Sequence, residues 1–291
     1  MASSLIKRLA ALFGASCAAL LLAVPAAAPG HADRAVLESP AADECPTPPN
    51  YPGNIGFEGR HYRVHVPSGV PAGAPLVVAL HGGYDSPESV EGAWGWNALA
   101  DQHKFIVVYP RGTKKECKSD GSPGWGWNAD AADVTHIKNV VNQVATQYGV
   151  NRSRVHLTGH SNGGQMASRA ACTAPEVFAS GAVYAPAPPP TGCNPARAVS
   201  WGVFASASDP IVLEPIAYGH VMYWSWENRP CQNEQPGGGT DVKDSRHWDC
   251  EAGTEVLWRV YNGGSHTWPS GARRTEMMNR MWQLFQANPR P

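Results

Sequence analysis

No Cys-x-x-Cys pair occurs in the chain, so neither a zinc site nor a dithiol redox site is expected, and no metal or other cofactor is read from the sequence. The basic residues do not cluster and the formal net charge is −1, which argues against nucleic acid or an acidic membrane surface as a partner. Beyond the first thirty or so residues no segment is apolar enough to cross a bilayer. There is no internal repeat, and no biased linker is long enough to separate a second domain. The Pro-rich stretch Pro186–Pro190 reads as a stiff loop.

What is present begins with a leader. Lys7 and Arg8 precede an apolar run from Leu9 to about Ala28, and small residues then offer cleavage after Ala28 or Ala32. That layout reads as a secretory signal peptide over residues 1–32. Residues 33–52 read as an irregular lead-in, and residues 53–291 as one domain. The mature chain of about 260 residues is long enough for one large buried core. It is expected to be secreted and monomeric. Six cysteines remain after processing, which in an exported chain reads as disulfides. Short-range closure favours Cys172–Cys193 and Cys231–Cys250 and leaves Cys45–Cys117. Each loop of about twenty residues closed in this way is worth roughly 3 kcal/mol.

His61–Val66 alternates as a half-buried edge strand does. Leu76–Leu80 and Phe105–Tyr109 are continuous apolar runs, the pattern of parallel strands covered on both faces. Val155–Thr158, Phe178–Tyr184, Ser200–Ala205 and Glu255–Tyr261 read as further strands. Helices are predicted from an Asp133 N-cap to a Gly149 C-cap, over Gln165–Cys172, over His220–Glu227 and around Met277–Phe285. The stripe of Met277, Met278, Met281, Trp282 and Phe285 reads as core packing. Strands alternating with helices give an α/β domain with a mostly parallel sheet and helices on both faces. Asn151-Arg152-Ser153 matches a glycosylation acceptor and reads as a plain surface turn.

Gly159-His160-Ser161-Asn162-Gly163 fits Gly-x-Ser-x-Gly, with an apolar strand running into it and a helical pattern leaving it. In that setting the glycines admit a sharp turn that pushes the serine hydroxyl out at the carboxyl edge of the sheet. A serine hydroxyl needs a base to take its proton as it attacks, and the acid and then the histidine are sought downstream. Asp209 follows the Ser200–Ala205 strand directly. Its competitors Asp241, Asp244 and Asp249 fall in a polar, cysteine-bracketed loop. His266 stands after the last predicted strand in a glycine-bearing loop, whereas His220 falls in a helix and His247 in the polar loop. Ser161, Asp209 and His266 are therefore the candidate catalytic residues. The backbone N–H of Asn162 and that of Gly83 are the candidate oxyanion donors, with Tyr84 as the alternative to Gly83. His81 reads as structural.

Leu80-His81-Gly82-Gly83, Tyr109-Pro110-Arg111-Gly112, Trp127-Asn128, the elbow from Gly159 to Gly164, Ser208-Asp209-Pro210 and Gly264-Ser265-His266-Thr267-Trp268-Pro269 occur together. From about His61 onward the chain resembles the secreted esterase family of polyhydroxybutyrate depolymerase-like enzymes and feruloyl and acetylxylan esterases. The resemblance implies the α/β-hydrolase fold, no cofactor, and hydrolysis of carboxylic esters through an acyl-enzyme. The expected partner is an ester substrate: a plant polysaccharide ester, a soluble oligoester or a polyester. Tyr84, Trp127 and Trp268 are the candidate substrate-binding residues, the two tryptophans by stacking beside Ser161. Two other readings of the same residues stand beside this one. One is a peptidase or acyltransferase on the same fold, and the other is a secreted polysaccharide-binding protein with a relic triad.

Overall fold

The computed structural model describes residues 61–118, 121 and 123–291. The expected signal peptide, the lead-in and Cys45, and with it the Cys45–Cys117 pairing, lie outside the described residues. Among the described residues the strands β1 (Tyr62–His65), β2 (Leu76–Leu80), β3 (Ile106–Pro110), β4 (Lys114–Cys117), β5 (Pro123–Gly126), β6 (Val155–His160), β7 (Ser180–Tyr184), β8 (Ser200–Ser206), β9 (Cys231–Pro236), β10 (Val242–Cys250) and β11 (Glu255–Tyr261) alternate with six helices. These are α1 (Pro87–Ala93), α2 (Trp96–His103), α3 (Ala131–Tyr148), α4 (Asn162–Thr173), α5 (Glu214–Glu227) and α6 (Gly271–Ala287).

One nine-stranded sheet has the order β1-β3-β2-β6-β7-β8-β11-β10-β9. The inner run from β3 to β11 is parallel throughout, β1 is antiparallel at one edge, and β10 and β9 add an antiparallel pair at the other. The fold is the α/β-hydrolase fold. β2, β3, β7 and β8 are buried along their whole length, which is why they carry apolar runs instead of alternation. Successive residues of β8 show the two covered faces. Trp201 stacks on Trp224 of α5 with centroids 4.6 Å apart, while a Cβ on Gly202 would lie 3.4 Å from Leu284 of α6. The methionine and aromatic stripe of α6 is buried, and Trp282 stacks on Phe105 at 4.1 Å.

Two readings of local structure are corrected. The N-cap of α3 is Asp130, not Asp133: the Asp130 side chain accepts the Asp133 N–H at 2.9 Å. Asp133 turns inward instead, where its carboxylate accepts from the Thr113 hydroxyl and from the Ala129 N–H. The segment read as a polar loop between Cys231 and Cys250 is the β9–β10 pair, its two ends joined by the Cys231–Cys250 disulfide. A second disulfide joins Cys172, in α4, to Cys193. Asn151 is exposed and accepts the Ser153 N–H at 2.9 Å, forming a tight turn.

Buried imidazoles give the fold a pH dependence. His156 stacks on Phe285 at 5.0 Å, and burial together with the charge of Arg154 lowers its pKa to about 3. His220 accepts from the Ser168 hydroxyl and donates to the Ala187 carbonyl, and burial lowers its pKa to about 4. In the unfolded chain a histidine titrates near pH 6.5. Below that pH the unfolded state takes up protons that the native state refuses until about pH 4 or lower, so acid favours unfolding. His247, raised by Glu255, works in the opposite sense and loses its contribution as pH rises. With two deeply buried rings against one half-buried pair, the melting temperature is expected to fall steadily from about pH 6.5 to 4, while above about pH 6.5 only the smaller loss at His247 remains. A melting temperature constant between about pH 6.5 and 4 would contradict the burial of these neutral rings.

Candidate active site

β6 runs into Ser161, whose backbone stands at φ 53° and ψ −120° before α4 begins at Asn162. A residue other than glycine in that region is strained by about 1–3 kcal/mol, so its surroundings must hold it there. They do so sterically. A Cβ on Gly163 would lie 2.1 Å from the Leu80 carbonyl oxygen and 2.2 Å from that of His81, and one on Gly159 would lie 2.4 Å from the Gly163 oxygen. Without those side chains α4 can approach the end of β2 and force the turn. The Ser161 N–H donates to the Tyr184 carbonyl, and the Ser161 carbonyl accepts from Ala187 and Gln165.

Asp209 lies three residues past β8 and is buried at 4 % exposure. Its Oδ1 accepts the N–H groups of Ile211 and Val212, each at 2.9 Å. Its Oδ2 lies 2.8 Å from His266 Nδ1, and His266 Nε2 lies 2.9 Å from Ser161 Oγ. With Nδ1–H donating to Asp209, Nε2 is left as an acceptor for the serine proton. This is an arrangement in which a hydroxyl can surrender its proton while attacking a carbonyl.

The His266 loop has Gly263 and Gly264 at positive φ and exposed residues on both sides of the histidine. Its anchors come from the core. Tyr184 Oη donates to the Ser265 carbonyl, Ser208 N–H donates to Gly263, and Trp268 stacks on Trp94 at 4.1 Å and 6°. Trp268 is thus half-buried, with one ring face covered by Trp94. The His160 ring lies 4.7 Å from that of His266. Burial and the neighbouring His266 lower the His160 pKa to about 3, so the ring beside the base is neutral.

The loop after β2 is held from several sides. His81, fully buried, donates from Nδ1 to the Gly82 carbonyl and accepts the Gly112 N–H at Nε2, 2.8 Å away. Burial lowers its pKa, which keeps that acceptor unprotonated. Gly83 lies close to the start of α4, where a Cβ placed on it would be 3.9 Å from Asn162 Cβ. Tyr84 does not offer a free donor: its N–H donates to Glu116 Oε2 at 2.6 Å. Its side chain is 57 % exposed on a backbone at φ 59°. Trp127 is corrected as a stacking surface, because it is only 2 % exposed. Its indole N–H donates to the His81 carbonyl, and its backbone N–H and carbonyl pair with the Asn162 side chain at 2.6 and 3.0 Å. It therefore fixes the two loops that flank the serine.

The remaining candidates lie elsewhere in hydrogen-bonded pairs. Asp241 pairs with Arg273, Asp244 accepts the Trp258 indole N–H, and His247 meets Glu255 at 2.7 Å with Asp249 at 3.8 Å. Among the described residues no three His, Cys, Asp or Glu side chains are grouped to hold a metal ion. Sequence reasoning missed Glu116, the Asn162 side chain and Tyr184. Only Asn162, within the elbow motif, carried a signal that could have marked it.

A family model described as "Esterase PHB depolymerase" matches residues 61–218, more than half of the chain. The chain is 40% identical over 131 residues to poly(3-hydroxyalkanoate) depolymerase C of Paucimonas lemoignei, covering 43% of this chain and 30% of that protein. It is 29% identical over 126 residues to feruloyl esterase B of Talaromyces stipitatus, covering 43% and 35%. The chain thus spans about a third of the length of these relatives. Among solved structures, acetyl xylan esterase from Aspergillus awamori superposes with a TM-score of 0.62 at 18% identity, over 78% of this chain and 94% of that one. A carboxylesterase from Mesorhizobium loti does so with a TM-score of 0.56 at 17% identity, over 81% and 99%.

Proposed function

The chain belongs to the esterase PHB depolymerase family, and from that premise we propose that it is a secreted, monomeric serine esterase acting through Ser161, His266 and Asp209. The observation that carries the reading is the unbroken line of hydrogen bonds from Asp209 Oδ2 through the two nitrogens of His266 to Ser161 Oγ, set on a strained elbow. Ser161 Oγ attacks the ester carbonyl carbon while its proton passes to His266 Nε2. The negative oxygen formed is held by the N–H groups of Asn162 and Gly83. His266 then gives the proton to the leaving alcohol oxygen as the C–O bond breaks. Water attacks the acyl-enzyme, again losing a proton to His266, and the free acid and Ser161–OH are restored. Asp209 holds the imidazole in the required tautomer and stabilises its charged form.

The substrate is a carboxylic ester with an apolar part. Exposed Tyr84 lies next to the proposed donor Gly83, and exposed Ile211 and Leu213 flank the residue after Ile211 whose N–H binds Asp209. Exposed apolar side chains next to the proposed donor and next to the acid suit the acyl chain of a hydroxyalkanoate or an aromatic acid better than a free sugar. The poly(3-hydroxyalkanoate) depolymerase and the feruloyl esterase among the relatives support trying hydroxyalkanoate and ferulate esters first.

The test joins a fluorophosphonate probe to a substrate panel. Labelling of Ser161, located by peptide mass, and turnover of p-nitrophenyl acetate, methyl ferulate, acetylated xylan or polyhydroxybutyrate are expected together. Labelling without ester turnover would point to a peptidase or acyltransferase, and absence of labelling to a polysaccharide binder.

A further inference from the structure

The sequence places Lys114 and Glu116 in a short charged run, and the structure carries that run onto the loop proposed to bind the oxyanion. β4 and β5 pair as a hairpin, Lys114 opposite Gly126 and Glu116 opposite Gly124. The hairpin continues onto the loop after β2, where Asp85 and Trp125 exchange backbone hydrogen bonds of 3.2 and 2.9 Å. A Cβ on Gly124 would lie 2.8–2.9 Å from the Tyr84 backbone, and one on Gly126 would lie 2.9 Å from the Glu116 carboxyl group. The two glycines therefore make room, one for the loop and one for the acid. Glu116, only 9 % exposed, accepts the Tyr84 N–H at 2.6 Å and lies 3.5 Å from the place a Cβ on Gly83 would occupy.

A carboxylate in that position has two opposed effects. As an acceptor it fixes the Gly83–Tyr84 peptide, the unit that directly follows the proposed donor N–H of Gly83. As a negative charge it opposes the negative charge that grows on the substrate oxygen in the transition state. Lys114 Nζ, 2.8 Å from Glu116 Oε1, cancels the second effect and leaves the first. Among the described residues, other charged groups near this loop include Asp85, whose carboxylate accepts the Ser86 N–H, Glu88, whose charge acts on His81, and Arg111, whose guanidinium lies 3.9 Å over the Trp125 ring.

We propose that Lys114 and Glu116 form a positioning pair for the oxyanion loop, in which Glu116 orients the Gly83–Tyr84 peptide and Lys114 neutralises the charge this requires. The inference rests on the reading of Ser161 and Gly83 given above. Lys114 is 52 % exposed, so solvent screens the charge it leaves behind. Loss of the lysine is then worth about a three- to tenfold fall in kcat.

The experiment compares wild type, Lys114→Met, Lys114→Arg and the double variant Lys114→Met/Glu116→Gln on p-nitrophenyl acetate at low ionic strength. Glutamine keeps an oxygen for the Tyr84 N–H but carries no charge. Lys114→Met is expected to lower kcat by about three- to tenfold with KM within about twofold, and added salt is expected to shrink the deficit. Arginine at this position, and glutamine in the double variant, are each expected to restore kcat. An unchanged kcat in Lys114→Met, or a deficit that persists in the double variant, would overturn the proposal. Melting temperatures of all four proteins separate these outcomes from misfolding. A wild type that neither reacts with the phosphonate nor turns over any ester would count against the esterase reading itself.

Discussion

Ser161→Ala is expected to reduce kcat on short p-nitrophenyl esters by about a million-fold while leaving the fold intact. The size of the loss follows from how the base is committed to one hydroxyl. His266 Nε2 is 2.9 Å from Ser161 Oγ, and the histidine is fixed from behind by Asp209, so the ring cannot swing to activate another group. Alanine can occupy the same strained backbone, because the strain comes from the close approach around Gly159 and Gly163 and not from the serine side chain. Stability should therefore change by less than about 1 kcal/mol. Retention of more than about one percent of wild-type kcat in a carefully purified variant would mean that the nucleophile lies elsewhere.

Asp209→Asn is expected to cost about ten-thousand-fold in kcat, and the hydrogen bonds of the carboxylate say why. Oδ1 is held by two backbone N–H groups, those of Ile211 and Val212, which only an oxygen can accept. The asparagine must therefore keep its oxygen on that side and turn its NH2 toward His266 Nδ1. That nitrogen then accepts and the ring proton moves to Nε2, the atom that has to receive the proton of Ser161. The base is still in place but in the wrong tautomer. KM should move little, and activity should recover partly at high pH, where hydroxide can replace the blocked base. A loss of less than about a hundredfold would indicate that the ring is oriented by other contacts, such as the neighbouring His160 ring.

The elbow and the strand that feeds it were legible because their requirement is steric and local. The small residues at 159 and 163 are demanded by atoms 2.1–2.4 Å away, and such demands leave a pattern in a short window. The parallel strands were legible because burial on both faces writes continuous apolar runs. The β9–β10 pair was not: its polar, mostly half-buried residues near the sheet edge resemble a loop, with no apolar run or regular alternation to mark a strand. Asp130 and Asp133 could each cap α3 by type. Thr113 and the Ala129 N–H, which draw Asp133 inward, become visible only once the chain is folded. Trp127 misled for the same reason, since an aromatic next to the site motif can face the substrate or, as here, lock the loops beneath it. Glu116 left no mark because a buried acid within a lysine-rich run reads as surface.

The two ends of the nine-stranded sheet bear on how this protein behaves in concentrated solution. A bare strand edge is a template on which another chain can add itself. At one end β1 is only four residues long and carries Arg63 and His65. At the other, β9 is tied to β10 by Cys231–Cys250 and finishes at Pro236, a residue with no N–H to offer a newcomer. The covalent tie thus guards against intermolecular sheet growth as much as it restrains the chain, and reducing agents are expected to favour clumping before they abolish catalysis.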